Sequence, residues 1–181
     1  MNTNTETTTY EIERKFLIEY PNLEFLQGVK NYDKTYIIQT YLKTDETEGG
    51  TRIRKRGKNN IFEYTKTYKK TITAIKRIEI EEVITKEDYE KLLELADDKL
   101  KSIEKYRHCF EYKGKMFELD TYTFWTDRAT LEIELESENE SFDFPPFIKC
   151  IKEVTNDLAY RNRSLAYSIY TEDIEDYKPI N

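Results

Sequence analysis

The stretch Tyr10-Glu11-Ile12-Glu13-Arg14-Lys15-Phe16-Leu17-Ile18 constrains the fold of this 181-residue chain more than any other. In an extended strand, successive side chains alternate between two faces. Glu11, Glu13 and Lys15 then share one wall, while Ile12, Arg14 and Phe16 share the other. The same segregation returns where Arg52 and Arg54 flank Ile53, where Arg77, Glu79 and Glu81 flank Ile78 and Ile80, and where Glu132, Glu134 and Glu136 flank Ile133 and Leu135. A single strand of this kind is ordinarily a solvated face carrying cross-strand ion pairs. When nearly every strand does it, a charged exterior would leave only the apolar parity to fill a narrow core. The pattern points instead to a barrel with its charges inside.

Turn and cap chemistry organises the rest of the chain. Strands are predicted over 10–19, 36–43, 51–56, 61–70, 75–84, 101–112, 115–123 and 129–137, all compatible with antiparallel neighbours. Gly49-Gly50, Gly57-Lys58-Asn59-Asn60 and Lys113-Gly114 supply turns between them. A short connecting helix is predicted over 23–29, after Pro21. A second starts at Thr85 as N-cap with Asp88 three residues on, and Tyr89, Leu92, Leu93 and Ala96 form its apolar stripe against the outside of the sheet. A C-terminal helix is predicted over 157–169, with Asp157 as N-cap, Leu158, Leu165 and Ile169 on its apolar side, and Tyr160, Arg161 and Arg163 elsewhere. The expected organisation is a flexible tail over 1–9, a single domain over 10–170 and a C-terminal tail over 171–181.

The chain is acidic, with 36 Asp and Glu against 29 Lys and Arg. A protein held by a nucleic-acid backbone usually carries a basic surface, so no stable nucleic-acid partner is expected. A basic cavity inside an acidic exterior is compatible with that balance. The 15 Tyr and 9 Phe supply the apolar payload that disordered chains lack. Cys109 and Cys150 make no disulfide framework and read as buried free thiols of a reducing compartment. The polar, Thr-rich N-terminus has no apolar signal segment, and no apolar run approaches a membrane span. A cytoplasmic protein without membrane association is expected. The single histidine, His108, falls on the opposite parity from Lys105 and Arg107, which argues against zinc. Trp125 lies in a predicted turn and reads as packing or surface.

The Glu-x-Glu-x-Lys strand at Glu11-Ile12-Glu13-Arg14-Lys15 resembles the hallmark of the CYTH superfamily, the triphosphate tunnel metalloenzymes. The likeness continues in the family's order through Gln39-Thr40-Tyr41-Leu42, Arg52-Ile53-Arg54, Tyr64-Thr65-Lys66, Arg77 to Glu81, Lys105-Tyr106-Arg107, Glu118-Leu119-Asp120, Glu132-Ile133-Glu134 and Glu153-Val154-Thr155-Asn156-Asp157. It implies an α+β, predominantly antiparallel fold: an eight-stranded tunnel barrel with external helices and a C-terminal helix. The cavity would receive Lys15, Arg52, Arg54, Lys66, Arg77, Lys105 and Arg107 as phosphate-binding cations. Glu11, Glu13, Glu132 and Glu134 would be the metal ligands, with Glu79, Glu81, Glu118 and Asp120 supporting them. Glu11, Glu13, Lys15, Lys66 and Lys105 are the implied catalytic groups.

Dry burial of so many ions would cost several kcal/mol each even after relaxation, so the cavity must be wet. Guanidinium and ammonium groups suit phosphate oxygens. Clustered carboxylates suit hard divalent ions such as Mg²⁺ or Mn²⁺. A metal-complexed, triphosphate-containing small molecule satisfies both sets. The opening Glu-Ile-Glu-Arg-Lys-Phe-Leu resembles short bacterial members that hydrolyse inorganic tripolyphosphate to pyrophosphate and phosphate, and a homodimer is compatible with the likeness. Class IV adenylyl cyclase, nucleoside or thiamine triphosphatase, and a noncatalytic polyphosphate or nucleotide sensor stand as alternatives. The interval from Lys66 to Arg77, with Lys69-Lys70 inside it, leaves the register between the fourth and fifth strands open.

Overall fold

A computed structural model describes the backbone of residues 6–43, 50–72 and 76–169, and the side chains of these except 6–11, 70, 71, 76 and 77. Among the described residues there are nine strands: β1 (Glu6–Glu19), β2 (Asp33–Tyr41), β3 (Gly50–Lys58), β4 (Ile61–Thr71), β5 (Lys76–Ile84), β6 (Ile103–Tyr112), β7 (Lys115–Tyr122), β8 (Arg128–Glu134) and β9 (Cys150–Glu153). They pair in the order β5-β4-β3-β2-β6-β7-β8-β1-β9, antiparallel throughout. β1 is long enough to serve two neighbours, running beside β5 from Glu6 to Ile12 and beside β8 from Glu13 to Glu19. The pairing order therefore returns to its start around eight strands. β9 is a short addition along Phe16, Leu17 and Ile18.

All eight expected strands occur. The ninth, Cys150-Ile151-Lys152-Glu153, is too short to carry a legible alternation. β1 also begins earlier than expected: residues 6–9, read as part of a flexible tail, pair with Glu79 to Glu82. The β-branched run Thr7-Thr8-Thr9 suits an extended backbone even without apolar alternation. The expected tails over 1–5 and 171–181 lie outside the described residues.

The two tight hairpins follow from turn chemistry. Asn59 and Asn60 take φ of 51° and 64° between β3 and β4, and Lys113 and Gly114 take 47° and 78° between β6 and β7. Two consecutive residues at positive φ match the right-handed twist of the strands they join. Gly57 is required for a different reason: a Cβ there would stand 2.0 Å from the Ile61 carbonyl oxygen.

Because the charged parity turns inward, the largest apolar cluster lies on the outer face of the sheet. Phe16 and Ile18 of β1, Phe110, Phe117 and Leu119 of β6 and β7, and Leu131 and Ile133 of β8 pack under Leu26, Phe142, Phe144, Phe147 and Ile148. Leu26 belongs to helix α1 (Leu23–Leu26), capped by the Asn22 side chain. Helix α2 (Lys86–Leu93) is capped by Thr85, as expected, and lays Tyr89 over Leu42 and Ile53. The third cluster closes one end of the barrel. There the inward parity itself becomes apolar, with Leu17, Ile103 and Tyr122 following Lys15, Lys105 and Asp120 along their strands and meeting Trp125, Tyr160 and Leu165. Trp125 is buried within this plug.

The expected C-terminal helix is broken in two. Asp157 caps a single 3-10 turn, Leu158–Tyr160, and helix α3 (Asn162–Tyr167) follows after Arg161, whose extended backbone interrupts the helical path. The break turns Tyr160 fully into the plug and leaves Leu158, expected on the apolar side, 59% exposed. Ile169, also expected there, is exposed, and only Leu165 of the three is buried. Both cysteines are free; Cys109 is half-buried and Cys150 is exposed rather than buried. Among the described residues, no helix is long and apolar enough to cross a membrane.

His108 sits on the outer parity, buried, with Nδ1 2.9 Å from the Tyr32 hydroxyl and Nε2 3.2 Å from Thr121 Oγ1. Burial, reinforced by the Lys34 ammonium, pushes the imidazole down to about 4. Its folded-state pKa lies below the unfolded value near 6.5, so the unfolded chain binds the proton first as pH falls. Stability is therefore complete above about pH 6.5 and declines toward pH 4, by roughly 3 kcal/mol from this group. Thermal denaturation from pH 4 to 7 should show this acid limb, and His108→Gln should flatten it.

Candidate functional site

Residues directly opposite one another in antiparallel strands share a face, so the registers assemble the site row by row. Lys15 faces Glu132, Glu132 faces Glu118, and Glu118 faces Cys109. Glu13 faces Glu134 in the next row of β1 and β8. Arg52 faces Thr67, which faces Glu81, while Gly50 faces Lys69, which faces Glu79. These rows enclose a cavity of about 500 Å³. Lys15, Arg52, Arg54, Arg56, Lys69, Lys105, Arg107, Arg161 and Arg163 line it as cations, and Glu13, Glu79, Glu81, Glu118, Glu132, Glu134 and Asp157 as anions. Inside a chain of net charge −7, the described lining carries more cations than carboxylates.

Most of the expected set is brought together. Asp120 lies just beneath the lining, fully buried. The side chains of Glu11 and Arg77 lie outside the described residues, although their backbones pair with each other. Lys66 is the exception. It pairs with Ile53 and Glu82, and Ile53 packs beneath α2, so Lys66 stands on the outer face. Thr65 and Thr67 take the inward positions on either side of it, and Lys69 reaches the cavity instead.

The two sides of the cavity differ in how well their charges are matched. On the β6, β7, β8 side, Arg107 grips Asp120 with Nε and Nη2, each at 2.8 Å, reaches Glu132 Oε2 at 2.9 Å and also bonds Glu118. Lys105 donates to Asp120, and Lys15 Nζ lies 3.0 Å from Glu132 Oε1. Burial raises the Asp120 and Glu132 carboxyls, but Arg107 and Lys105 acting on Asp120, and Lys15 and Arg107 on Glu132, outweigh it. Asp120 is held at about 2 and Glu132 well below its ordinary value. Burial pushes the Lys105 ammonium down to about 7 despite Asp120.

On the β3, β4, β5 side the carboxylates are met by Lys69, which pairs closely with Glu79, and by the Thr67 hydroxyl, which donates to Glu81 at 2.8 Å. The two arginines are looser: Arg52 Nη2 is 3.7 Å from Glu79 and Arg54 Nη1 is 3.9 Å from Glu81. Burial, then the neighbouring Arg52 and Arg107 guanidinium groups, push Arg54 down to about 10. Four guanidinium nitrogens, Arg52 Nε, Arg54 Nε, Arg161 Nε and Arg163 Nη1, are buried without a hydrogen-bond partner among the described residues. Buried donors are costly to leave unmatched, so this face is built for an anion.

The carboxylates Glu13 and Glu134 stand directly opposed across β1 and β8, next to the opposed Glu132 and Glu118. Like charges facing across a sheet are destabilising unless a cation lies between or beside them. Oxygen donors on adjacent strands suit a hard divalent ion. Among the described residues, no three such groups already converge into a metal cage. Glu132 and Glu118 are held by Lys15 and Arg107.

The C-terminal segment contributes groups that the sequence reading set aside. Arg161 and Arg163 reach the lining because the helix is broken before Asn162. Tyr122 donates to Asn162 Oδ1 at 2.8 Å, and Arg163 lies 5.5 Å from the Tyr41 ring centroid. A Cβ at position 50 would come 2.9 Å from Arg163 Nη1, so Gly50 gives this arginine its room. Arg56 was also missed, although its parity with Arg52 and Arg54 was available to find it.

Comparison with known proteins agrees with this fold. The CYTH domain family matches residues 9–157. The inorganic triphosphatase of Nitrosomonas europaea is 33% identical over 164 residues, spanning 88% of this chain and 98% of that protein. The solved structure of the inorganic triphosphatase NE1496 superposes with a TM-score of 0.58 at 30% identity, covering 88% of this chain and 95% of that one. The PH1819 protein of Pyrococcus horikoshii OT3 shares the fold, with a TM-score of 0.55 at 23% identity over 72% of this chain and 81% of its own.

Removing the least compensated buried cation should expose the conflict between stability and binding. Arg54→Met is expected to stabilise the ligand-free protein by about 1 to 2 kcal/mol, a rise in Tm of about 3 to 6 °C. The same variant should lose the thermal stabilisation that polyanions confer on the parent. Scanning calorimetry with and without tripolyphosphate checks both.

Proposed function

The chain belongs to the CYTH family, and from that premise we propose that it is a metal-dependent triphosphatase that hydrolyses inorganic tripolyphosphate to pyrophosphate and orthophosphate. The observation that carries the reading is a cavity lined by Arg52, Arg54, Arg161 and Arg163, each with a buried guanidinium nitrogen that has no hydrogen-bond partner among the described residues, and by the opposed carboxylates Glu13 and Glu134. A metal-complexed polyanion suits both the arginines and the carboxylates. Lys15, Arg52, Arg54, Lys105 and Arg107 bind phosphate oxygens, joined by Arg161 and Arg163, and Arg77 is assigned the same role. Glu13, Glu132 and Glu134, with Glu11, hold the divalent ion, and Glu79, Glu81, Glu118 and Asp120 orient the cations.

When bound, an ion of the Mg²⁺ or Mn²⁺ class neutralises phosphate charge and acidifies water. The protein's own groups do the rest. Arg107, which bonds Asp120, Glu118 and Glu132, would exchange part of that bonding for phosphate oxygens, leaving Glu132 able to hold the ion with Glu13 and Glu134. The oxygen of water bonds to the terminal phosphorus as its bond to the bridging oxygen breaks; the electron pair leaves with pyrophosphate, and the water's protons stay with the orthophosphate formed or pass to solvent. Fixed cations stabilise that growing charge without reorganising.

The lining favours an inorganic substrate over a nucleotide. Its aromatic members are Tyr41 and Tyr160, and Tyr160 is fully buried in the plug. No open aromatic face is available among the described residues of the lining for a base to stack on. A cytoplasmic location suits such a substrate.

A phosphate-release screen with tripolyphosphate, ATP, GTP and thiamine triphosphate under Mg²⁺ and Mn²⁺, with cyclic AMP assayed in parallel, tests the reading. Tripolyphosphate should give the highest kcat/KM, and chelation should abolish turnover. Cyclic AMP as the main product would replace hydrolysis by cyclisation, and binding without turnover would make the protein a sensor. Glu13→Gln, which keeps shape and loses charge, should lower kcat by about 100-fold with an unchanged circular dichroism spectrum. Full metal-dependent activity in that variant removes Glu13 from the metal site.

A further inference from the structure

Arg14 lies within the first sequence signature but points away from the cavity. Its Nε donates to Glu153 Oε1 at 2.9 Å and its Nη2 to Oε2 at 2.5 Å, a bidentate pair on the outside of the barrel. The guanidinium also lies 5.3 Å from the Phe16 ring centroid and 5.2 Å from that of Phe142. Glu153 opens the C-terminal signature, so this contact ties the two signatures together. Glu153 Oε1 in turn accepts the Thr155 hydroxyl at 2.7 Å. Thr155 Oγ1 accepts the backbone N–H of Lys15 at 3.0 Å, and the Val154 N–H donates to the Lys15 carbonyl at 2.8 Å.

Hydrogen-bond direction makes this connected series specific. The Thr155 hydroxyl has one proton, and Glu153 at 2.7 Å takes it in preference to the Lys15 carbonyl at 3.4 Å, which turns an oxygen lone pair toward the Lys15 N–H. The outer ion pair thus fixes the rotamer of a residue that lines the cavity. Two residues further on, Asp157 caps the turn that leads to Arg161 and Arg163. The Arg14 and Glu153 side chains are 33% and 40% exposed, and an ion pair that exposed adds little to folding stability. Its bidentate geometry, by contrast, sets orientation closely.

We propose that Arg14 and Glu153 are positioning residues for triphosphate binding, holding the segment that carries Arg161 and Arg163 against the Lys15 strand through Thr155. The inference rests on the triphosphate reading of the cavity and adds a control point outside it. Position 14 and position 15 then serve one ligand from opposite faces of the same strand. Lys15 touches the phosphate, and Arg14 places the opposing arginines.

Arg14→Gln and Glu153→Gln should each raise the KM for Mg²⁺-tripolyphosphate, and the Kd for metal-free tripolyphosphate in titration calorimetry, by about five- to tenfold. Tm should stay close to that of the parent, and kcat should change less than KM. Arg14→Lys keeps the charge without the fork and should fall between. In an Arg161→Ala/Arg163→Ala background, Glu153→Gln should add almost nothing, because both arginines it places are gone. Unchanged KM and Kd in both Gln variants, or losses that add fully to those of the Arg161→Ala/Arg163→Ala double variant, would overturn the positioning role. So would a collapse of Tm in Arg14→Lys together with both Gln variants, which would make the pair structural. A parent protein that binds no tripolyphosphate would overturn this inference and the triphosphatase reading together, whereas parental binding with unaltered variants overturns this inference alone.

Discussion

The strands of this protein place their charges on the face that an eight-stranded barrel usually fills with apolar side chains, and the rest of the structure accommodates that arrangement. Each ion taken from water costs several kcal/mol unless it is paired and hydrogen-bonded. On one side of the cavity the cost is met internally, with Arg107 meeting Asp120, Glu118 and Glu132 at once. On the other side Lys69 and Thr67 meet Glu79 and Glu81, and Arg52 and Arg54 reach those carboxylates only at 3.7 and 3.9 Å. The arginines of that wall are thus the loosely matched charges, and they suit anionic oxygen.

Giving the interior to charge displaces much of the apolar core to the outside of the sheet. Phe142 and Phe144 pack on β1, Phe142 also on β7 and Phe147 on β6 from there, while α2 covers β3 and β4. Near one end the inward positions become apolar and close the cavity with Leu17, Ile103, Tyr122 and Trp125. Stability and binding consequently occupy different faces of the same strands. β1 shows the division residue by residue: Arg14 outside, Lys15 in the cavity, Phe16 in the outer core and Leu17 in the end plug.

Much of the site was legible because strand parity is a local rule. Once Glu13 and Lys15 are inside, their neighbours' faces follow, and the same holds for Arg52 with Arg54 and for Lys105 with Arg107. The rule failed at Lys66, where a motif resemblance was followed in place of the parity fixed by Thr65 and Thr67. It gave nothing for Arg161 and Arg163. A continuous helix was expected there, and the extended backbone of Arg161 that breaks it has no equivalent in the hydrophobic periodicity.

The amino-acid sequence by itself determined which side chains share a face, where the tight hairpins fall, and that a cavity lined by both signs of charge must form, since alternation and turn geometry act over a few residues. Only the tertiary structure decided that β1 bridges β5 and β8, that β9 docks beside it, that one end is plugged, and that Arg161 and Arg163 complete the basic wall. Those features depend on contacts between segments far apart in the chain, such as Arg14 with Glu153, 139 residues away. No local period encodes such a pairing, and packing selects it only when the whole barrel has assembled.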